Sequence, residues 1–134
     1  MKQALLDSDT LSFYFKGNPS VIQKIDSYLL EYGFVHISVI TYYELLNGLL
    51  FKDARAQLNR FEQFVQLNQV LPINSGIAST AAKIYADLRK NNQVIGHNDV
   101  LIGATAIEHD LILITNNTNH FARIPDLSID NWVG

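Results

Sequence analysis

Ile95-Gly96-His97-Asn98-Asp99-Val100-Leu101-Ile102-Gly103-Ala104-Thr105-Ala106 opens with turn formers, Gly96 and Asn98, and runs on as apolar and small residues with one carboxylate, Asp99, at its mouth. The run is too apolar for a protein surface and too short to span a membrane. It reads as a buried helix whose first turn carries Asp99, with His97 as a candidate capping residue. Gly103 lies one turn later on the same face, where the missing side chain admits a close neighbour. An acid in a first turn also simply favours the helix dipole. Asp99 is therefore either a cap or a site residue, and the choice depends on the other acids.

Outward from this helix, strands and helices alternate. Leu111-Ile112-Leu113-Ile114-Thr115 follows it as a continuous apolar run, the pattern of a strand buried on both faces. Asn116 to Asn119 read as a polar loop, Phe121 to Ile124 as one helical turn, and Leu127-Ser128-Ile129 as a last strand. At the other end, Ala4-Leu5-Leu6-Asp7 is a first strand ending in a carboxylate. Ser8 or Asp9 would cap a short helix over Leu11 to Phe15, ended by Gly17. Asn18-Pro19 opens the next helix, with Ile22, Ile25 and Leu29 inward, Tyr28 and Tyr32 flanking, and Gly33 as its stop.

Val35 to Ser38 is a second strand. The helix from Val39 to Phe51 is apolar almost all round, with Thr41, Glu44 and Asn47 on one line and Gly48 one turn after Glu44. Asp53 is placed as the cap of an amphipathic helix bearing Leu58, Phe61 and Val65, with Phe64 at its flank. Val70 to Ile73 is a third strand, at a sheet edge because Pro72 cannot donate to a ladder. Asn74 or Ser75 starts an Ala-rich helix to Lys90, which Asn91-Asn92 close. This alternation predicts an α/β fold: one domain over residues 1–134, with a central parallel sheet of about five short strands flanked by helices.

At 134 residues, 48% of them apolar, the chain suffices for one domain with a real core. Cysteine is absent. That excludes disulfides, thiolate zinc sites and cysteine nucleophiles, and it suits a reducing cytoplasm, the expected location. Met1-Lys2-Gln3 runs straight into an apolar strand, so no secretory leader is expected. The net charge of −3 argues against holding nucleic acid by bulk positive charge. An enzyme that processes nucleic acid with a few local cations remains open. Phosphate-loop, dinucleotide and nucleophile-elbow motifs are all missing. His36, His97, His109 and His120 lack zinc-site spacing. His36 reads as structural and His109 as solvent-facing.

In open α/β sheets, ligands bind beyond the carboxyl ends of the strands. Asp7 and Asn116-Asn117 fall at such ends, and Glu44 lies in the helix after another. Asp7, Glu44 and Asp99 are thus expected to share one crevice. Three carboxylates held together repel one another. A divalent cation resolves this, and oxygen-only ligands favour Mg²⁺ or Mn²⁺ over zinc. Such sites hydrolyse phosphate esters.

With these residues in place, the chain resembles the PIN-domain family, specifically the VapC toxins of bacterial toxin–antitoxin pairs. Leu5-Leu6-Asp7-Ser8-Asp9-Thr10 looks like the first acidic motif. Ile37 to Gly48, around Glu44, looks like the second, and Ile95 to Ile102, around Asp99, like the third. Thr115-Asn116-Asn117 through Phe121-Ala122-Arg123-Ile124-Pro125, ending near Asn131-Trp132, looks like the fourth segment. The resemblance implies a Mg²⁺-dependent endoribonuclease, with Mn²⁺ able to substitute. It would be inhibited by a VapB-type antitoxin, act on RNA and form a homodimer, with no membrane partner. Metal ligands would map to Asp7, Asp99 and Glu44, and the catalytic set to these with Asn117.

Two departures stand out. Asp9 occupies a position that is often Asn in the family. No carboxylate is present at Asn119-His120, where many members carry a fourth acid, so Thr115, Asn116 and His120 are candidates for positioning water or phosphate instead. For His120, surface packing is equally open. The missing acid also favours a rival reading, a PIN-like protein-binding module with little or no nuclease activity. A phosphoacceptor receiver domain would want a Lys after a late strand, and Leu111 to Asn119 contains none. The helix bearing Tyr42, Tyr43, Leu45, Leu46, Leu49, Leu50 and Phe51 carries more apolar surface than one small domain covers, so a second copy or the antitoxin is expected against it.

Overall fold

A computed structural model describes residues 2–134. The described residues form seven helices and five strands, in the order β1 (Ala4–Leu6), α1 (Ser8–Phe15), α2 (Pro19–Tyr32), β2 (His36–Ser38), α3 (Val39–Phe51), α4 (Arg55–Leu67), β3 (Gln69–Leu71), α5 (Ser75–Lys90), α6 (His97–Glu108), β4 (Ile112–Ile114), α7 (Thr118–Phe121) and β5 (Ile129–Asp130). The sheet has the order β3-β2-β1-β4-β5 and every pairing is parallel. β1 is therefore central, with Leu6 opposite Ile114 and Leu5 opposite both His36 and Leu113.

Successive strand residues point to opposite faces, so the sheet divides the core in two. Leu5 and Leu113 join α5, α6 and Phe121 on one side. Ala4, Leu6 and Ile114 join Leu11, Val21, Ile25, Tyr28 and Phe64 on the other, closed by Trp132 near the C-terminus. Both sides are covered, which is why β1 and β4 are continuous apolar runs rather than alternating ones.

Helix ends follow local chemistry. Asn18 caps α2 through Val21 N–H, with Pro19 at the first helical position and Gly33 in the left-handed conformation at φ 84°. Four helices end in Schellman motifs, in which two N–H groups beyond the helix turn back to its last carbonyls. Gly17, Asp53, Asn92 and Asp110 take the left-handed position after α1, α3, α5 and α6.

Several sequence expectations shift here. Asp53 does not cap α4. At φ 50° it closes α3, its N–H bonding Leu50 O and that of Ala54 bonding Leu49 O, and α4 starts without a side-chain cap. The cap of α1 is Asp7, not Ser8 or Asp9, so this helix begins directly at Ser8. The buried face of α2 is Val21, Ile25 and Tyr28 instead of Ile22, Ile25 and Leu29. Tyr28 turns inward because its hydroxyl accepts from Ala4 N–H at 2.8 Å, which satisfies an otherwise unpaired strand group.

Phe64 is core rather than flank, set edge-on against Phe15. β3 covers Gln69 to Leu71, with Pro72 just past it. α7 forms within the expected polar loop, and β5 begins at Ile129. His97 does not cap α6 but lies against the Tyr85 ring, 4.2 Å between centroids. His36 sits in β2 beside Phe34, and burial holds its ring below the ordinary histidine pKa. On α3, Tyr43, Leu50 and Phe51 remain exposed, Phe51 at 89%. No helix among the described residues is long and apolar enough to cross a membrane.

Candidate active site

The parallel order aligns the carboxyl ends of β1, β2 and β4, and the polar residues gather beyond them. Asp7 leaves β1. It is buried, yet both its oxygens are partnered: Oδ1 accepts from Ser8 N–H at 2.8 Å, and Oδ2 accepts from the Thr115 hydroxyl at 2.8 Å. The first bond is the helix cap. The second comes from the residue just after β4, so sheet pairing itself fixes the carboxylate.

The same turn presents two more groups. Ser8 donates its hydroxyl to Glu44 Oε1 at 2.6 Å, tying α1 to α3. Asp9 points towards β4, where Oδ2 accepts from Asn116 N–H at 3.0 Å. Glu44 extends from α3 with its other oxygen 3.5 Å from the Asn98 amide of α6. Asp99, in the first turn of α6, stands 3.6 Å from His120 Nδ1. The same nitrogen lies 3.0 Å from Asn117 Nδ2. One ring nitrogen thus has two claims on it: protonated it can face Asp99, and unprotonated it accepts from the Asn117 amide. The Asn117 backbone N–H bonds the Thr115 hydroxyl, and Asn131 holds the Asn116 side chain at 3.1 Å.

Electrostatics reflect the crowding. Asp7 is pushed up to about 7, first by burial and next by the neighbouring Asp9, with Asp99 adding to it; Thr115 and Ser8 oppose the shift. Asp99 is also raised, by burial and then by Glu44, while His120 pulls it back and Asp9 adds a smaller push. Asp99 therefore lies near enough to Glu44 to sense its charge and near enough to Asp7 for Asp7 to sense it, with Asp9 acting on both Asp7 and Asp99. Among the described residues, no three acids or imidazoles form a ready coordination set. Neutral donors hold the acids, and His120 alone stands within ion-pair distance of them. A set of hard oxygen donors around the buried Asp7, with no Lys or Arg in ion-pair contact among the described residues, is chemically suited to a small divalent cation.

Three participants escape the sequence reading. Asp9 reads in the sequence as a cap candidate and as a departure from the family's usual Asn; its spacing of two from Asp7 is the signal, because it puts both acids in the turn leaving β1. Ser8 was weighed only as a cap, and Asn98 only as a turn former. Asn116 and Asn117 lie beside the acids, but the Asn117 amide reaches His120 rather than a carboxylate.

Comparison with known proteins places this cleft in a family. The PIN domain family model matches residues 4–127. Ribonuclease VapC1 of Haemophilus influenzae (strain R2866) is 31% identical over 129 residues, covering 96% of each chain. The tRNA(fMet)-specific endonuclease VapC of Salmonella typhimurium is 30% identical over 133 residues, covering 98% of this chain and 99% of its own. Among solved structures, DNA-bound VapBC from Salmonella typhimurium superposes with a TM-score of 0.88 at 29% identity, over 98% of this chain and 99% of that one. With the acids at these strand ends and a match over nearly its whole length, the chain belongs to the PIN-domain family, among its VapC-type members.

Proposed function

We propose that the chain is a Mg²⁺-dependent endoribonuclease of the VapC type, which hydrolyses RNA phosphodiester bonds in the cytoplasm and is held inactive by a VapB-type antitoxin. One observation carries the reading: Asp7, Asp9, Glu44 and Asp99 meet at one cleft, and burial with mutual repulsion raises Asp7 to about 7. Acids alone would repel a phosphodiester, and a bound divalent cation would offset their charge. Asp7, Asp99 and Glu44 would hold it, with Asp9 as a further donor. When bound, Mg²⁺ polarises the phosphoryl oxygen and makes water a better nucleophile at neutral pH.

The chain's own residues do the positioning. Thr115 and the Ser8 N–H fix the Asp7 rotamer, and the Ser8 hydroxyl fixes Glu44. His120 and Asn117 stand beside Asp99, where they can orient water or a phosphate oxygen. Asp9 adds a carboxylate beside Asp7, in a chain with no acid at Asn119-His120. Relatives named as ribonucleases, and neighbours solved as toxin–antitoxin complexes, support the substrate and the partner. The exposed Tyr43, Leu50 and Phe51 of α3 are read as surface for a second copy or the antitoxin.

The test is RNA cleavage by chain freed of antitoxin, in Mg²⁺ and in EDTA, for the parent and Asp99→Asn. The parent should cleave only with metal, and Asp99→Asn should lose cleavage while staying folded. Cleavage that persists in EDTA, or is unchanged in Asp99→Asn, overturns the metal mechanism. A parent inactive in Mg²⁺ and Mn²⁺ leaves the binding module.

A further inference from the structure

A groove of about 510 Å³ runs from Glu44 between α1, α3 and α4. Its floor is apolar, with Phe15 and Leu49 among its lining, and its rim carries Lys16, Lys52 and Arg60. These cations come from three separate helix regions, so their convergence is invisible in the sequence, where the basic residues look scattered. None of the three has a carboxylate within ion-pair distance among the described residues. Arg60 is held in place over the Phe15 ring, 5.5 Å from its centroid. In a chain of net charge −3, three unpaired cations beside an acidic cleft form a local exception. Glu44 of the acidic cleft and the three cations line the same groove, a combination that suits a polyanion with one phosphate at the acids and its neighbours along the groove.

We propose that this groove is the subsite for single-stranded RNA flanking the scissile phosphate, with Lys16, Lys52 and Arg60 contacting successive phosphates. This rests on the ribonuclease reading and extends it from the cleavage site to the strand. Phosphate contacts position a strand without reading its sequence. The groove therefore sets binding and register, and selection among bases must come from elsewhere. Gly48 gives an independent handle. A Cβ built there meets nothing within 4 Å, and the residue lines the groove. A side chain at this position would fill the groove without disturbing the fold.

The experiment compares the parent, the triple variant Lys16→Gln/Lys52→Gln/Arg60→Gln, and Gly48→Leu. Substrates are a single-stranded RNA of about eight nucleotides and a dinucleotide. For the longer RNA, the triple variant should raise KM about tenfold or more with kcat near the parent value. Each cation lost should flatten the logarithmic salt dependence of binding by about 0.7, hence about 2 for the triple variant. Gly48→Leu should raise KM for the longer RNA but leave that salt slope unchanged. Dinucleotide cleavage should be indifferent to all of these changes. Arg60→Lys, which keeps the charge, should behave like the parent.

Anisotropy of the longer RNA in EDTA, where no cleavage occurs, separates the two readings. If the parent proves inactive yet RNA binding still falls in the triple variant, the groove stands and the nuclease reading fails. An active parent whose KM and salt slope are matched by the triple variant overturns the groove proposal. So does a triple variant that weakens only the grip of the antitoxin, because the groove would then be a peptide site.

Discussion

Replacing Asp7 by Asn tests how the cleft stores charge. The parent carboxyl moves from an ordinary 3.8 to about 7 on folding, mainly through burial and then through Asp9. Between those two values the folded chain holds a proton that the unfolded chain has released. Stability without metal therefore falls as pH rises from about 4 to 7, and it levels off above. At about 1.4 kcal/mol per pH unit, the full interval is worth about 4 kcal/mol as an upper bound.

Asn removes this cost and can keep the local bonds. Its carbonyl can still accept from Ser8 N–H, so the α1 cap survives. Its amide can donate to the Thr115 hydroxyl oxygen, which already accepts from Asn117 N–H and can turn its own proton towards Asp9. In EDTA at pH 8, urea denaturation should find Asp7→Asn about 2–4 kcal/mol more stable than the parent, and at pH 3 the two should coincide. Adding Mg²⁺ should reverse the order, because only the parent binds it well. A parent whose stability in EDTA is flat from pH 4 to 7, or an Asn variant less stable at pH 8, would refute the charge-storage account.

Two further substitutions probe the scaffold. Tyr28→Phe leaves the buried Ala4 N–H unpaired and should cost about 1–3 kcal/mol in urea denaturation, with the affinity for Mg²⁺ unchanged. The two helical glycines that each follow an acid by one turn should respond oppositely to alanine. At Gly103 the new Cβ comes 2.7 Å from Ile124 Cδ1, a core side chain with little room to yield, and a net loss of about 1 kcal/mol is expected. At Gly48 nothing is met, and thermal denaturation should show a gain of about 0.5–1 kcal/mol.

What the sequence revealed followed from periodicity. β1 and β4 announce themselves because burial on both faces leaves no polar position in them. The three main acids were legible because each interrupts an apolar run, where a charge needs a reason. Features set by tertiary partners were hidden. Tyr28 turns inward for a strand N–H that no helical pattern encodes. Asp53 looks like a start signal, but the last carbonyls of α3 claim the neighbouring N–H groups first. Asp9 and Ser8 enter the site because β1 stops at Leu6, where its apolar run ends, and Asp7 caps α1 instead of closing the strand. Lys16, Lys52 and Arg60 meet only once α1, α3 and α4 have packed.

The central place of β1 sets an order in time. The first strand made on the ribosome has to wait for the fourth, since Leu6 pairs with Ile114 and Asp7 takes its hydroxyl partner from Thr115. Until β4 has been synthesised and slotted in beside it, Asp7 has no fixed rotamer, Asp9 has no Asn116 amide, and the cleft has only part of its wall. On the proposed mechanism, a nascent chain would stay catalytically silent until β4 is in place. The destructive activity proposed for it would appear only when nearly the whole fold is in place, giving a co-translational partner its longest interval to arrive first.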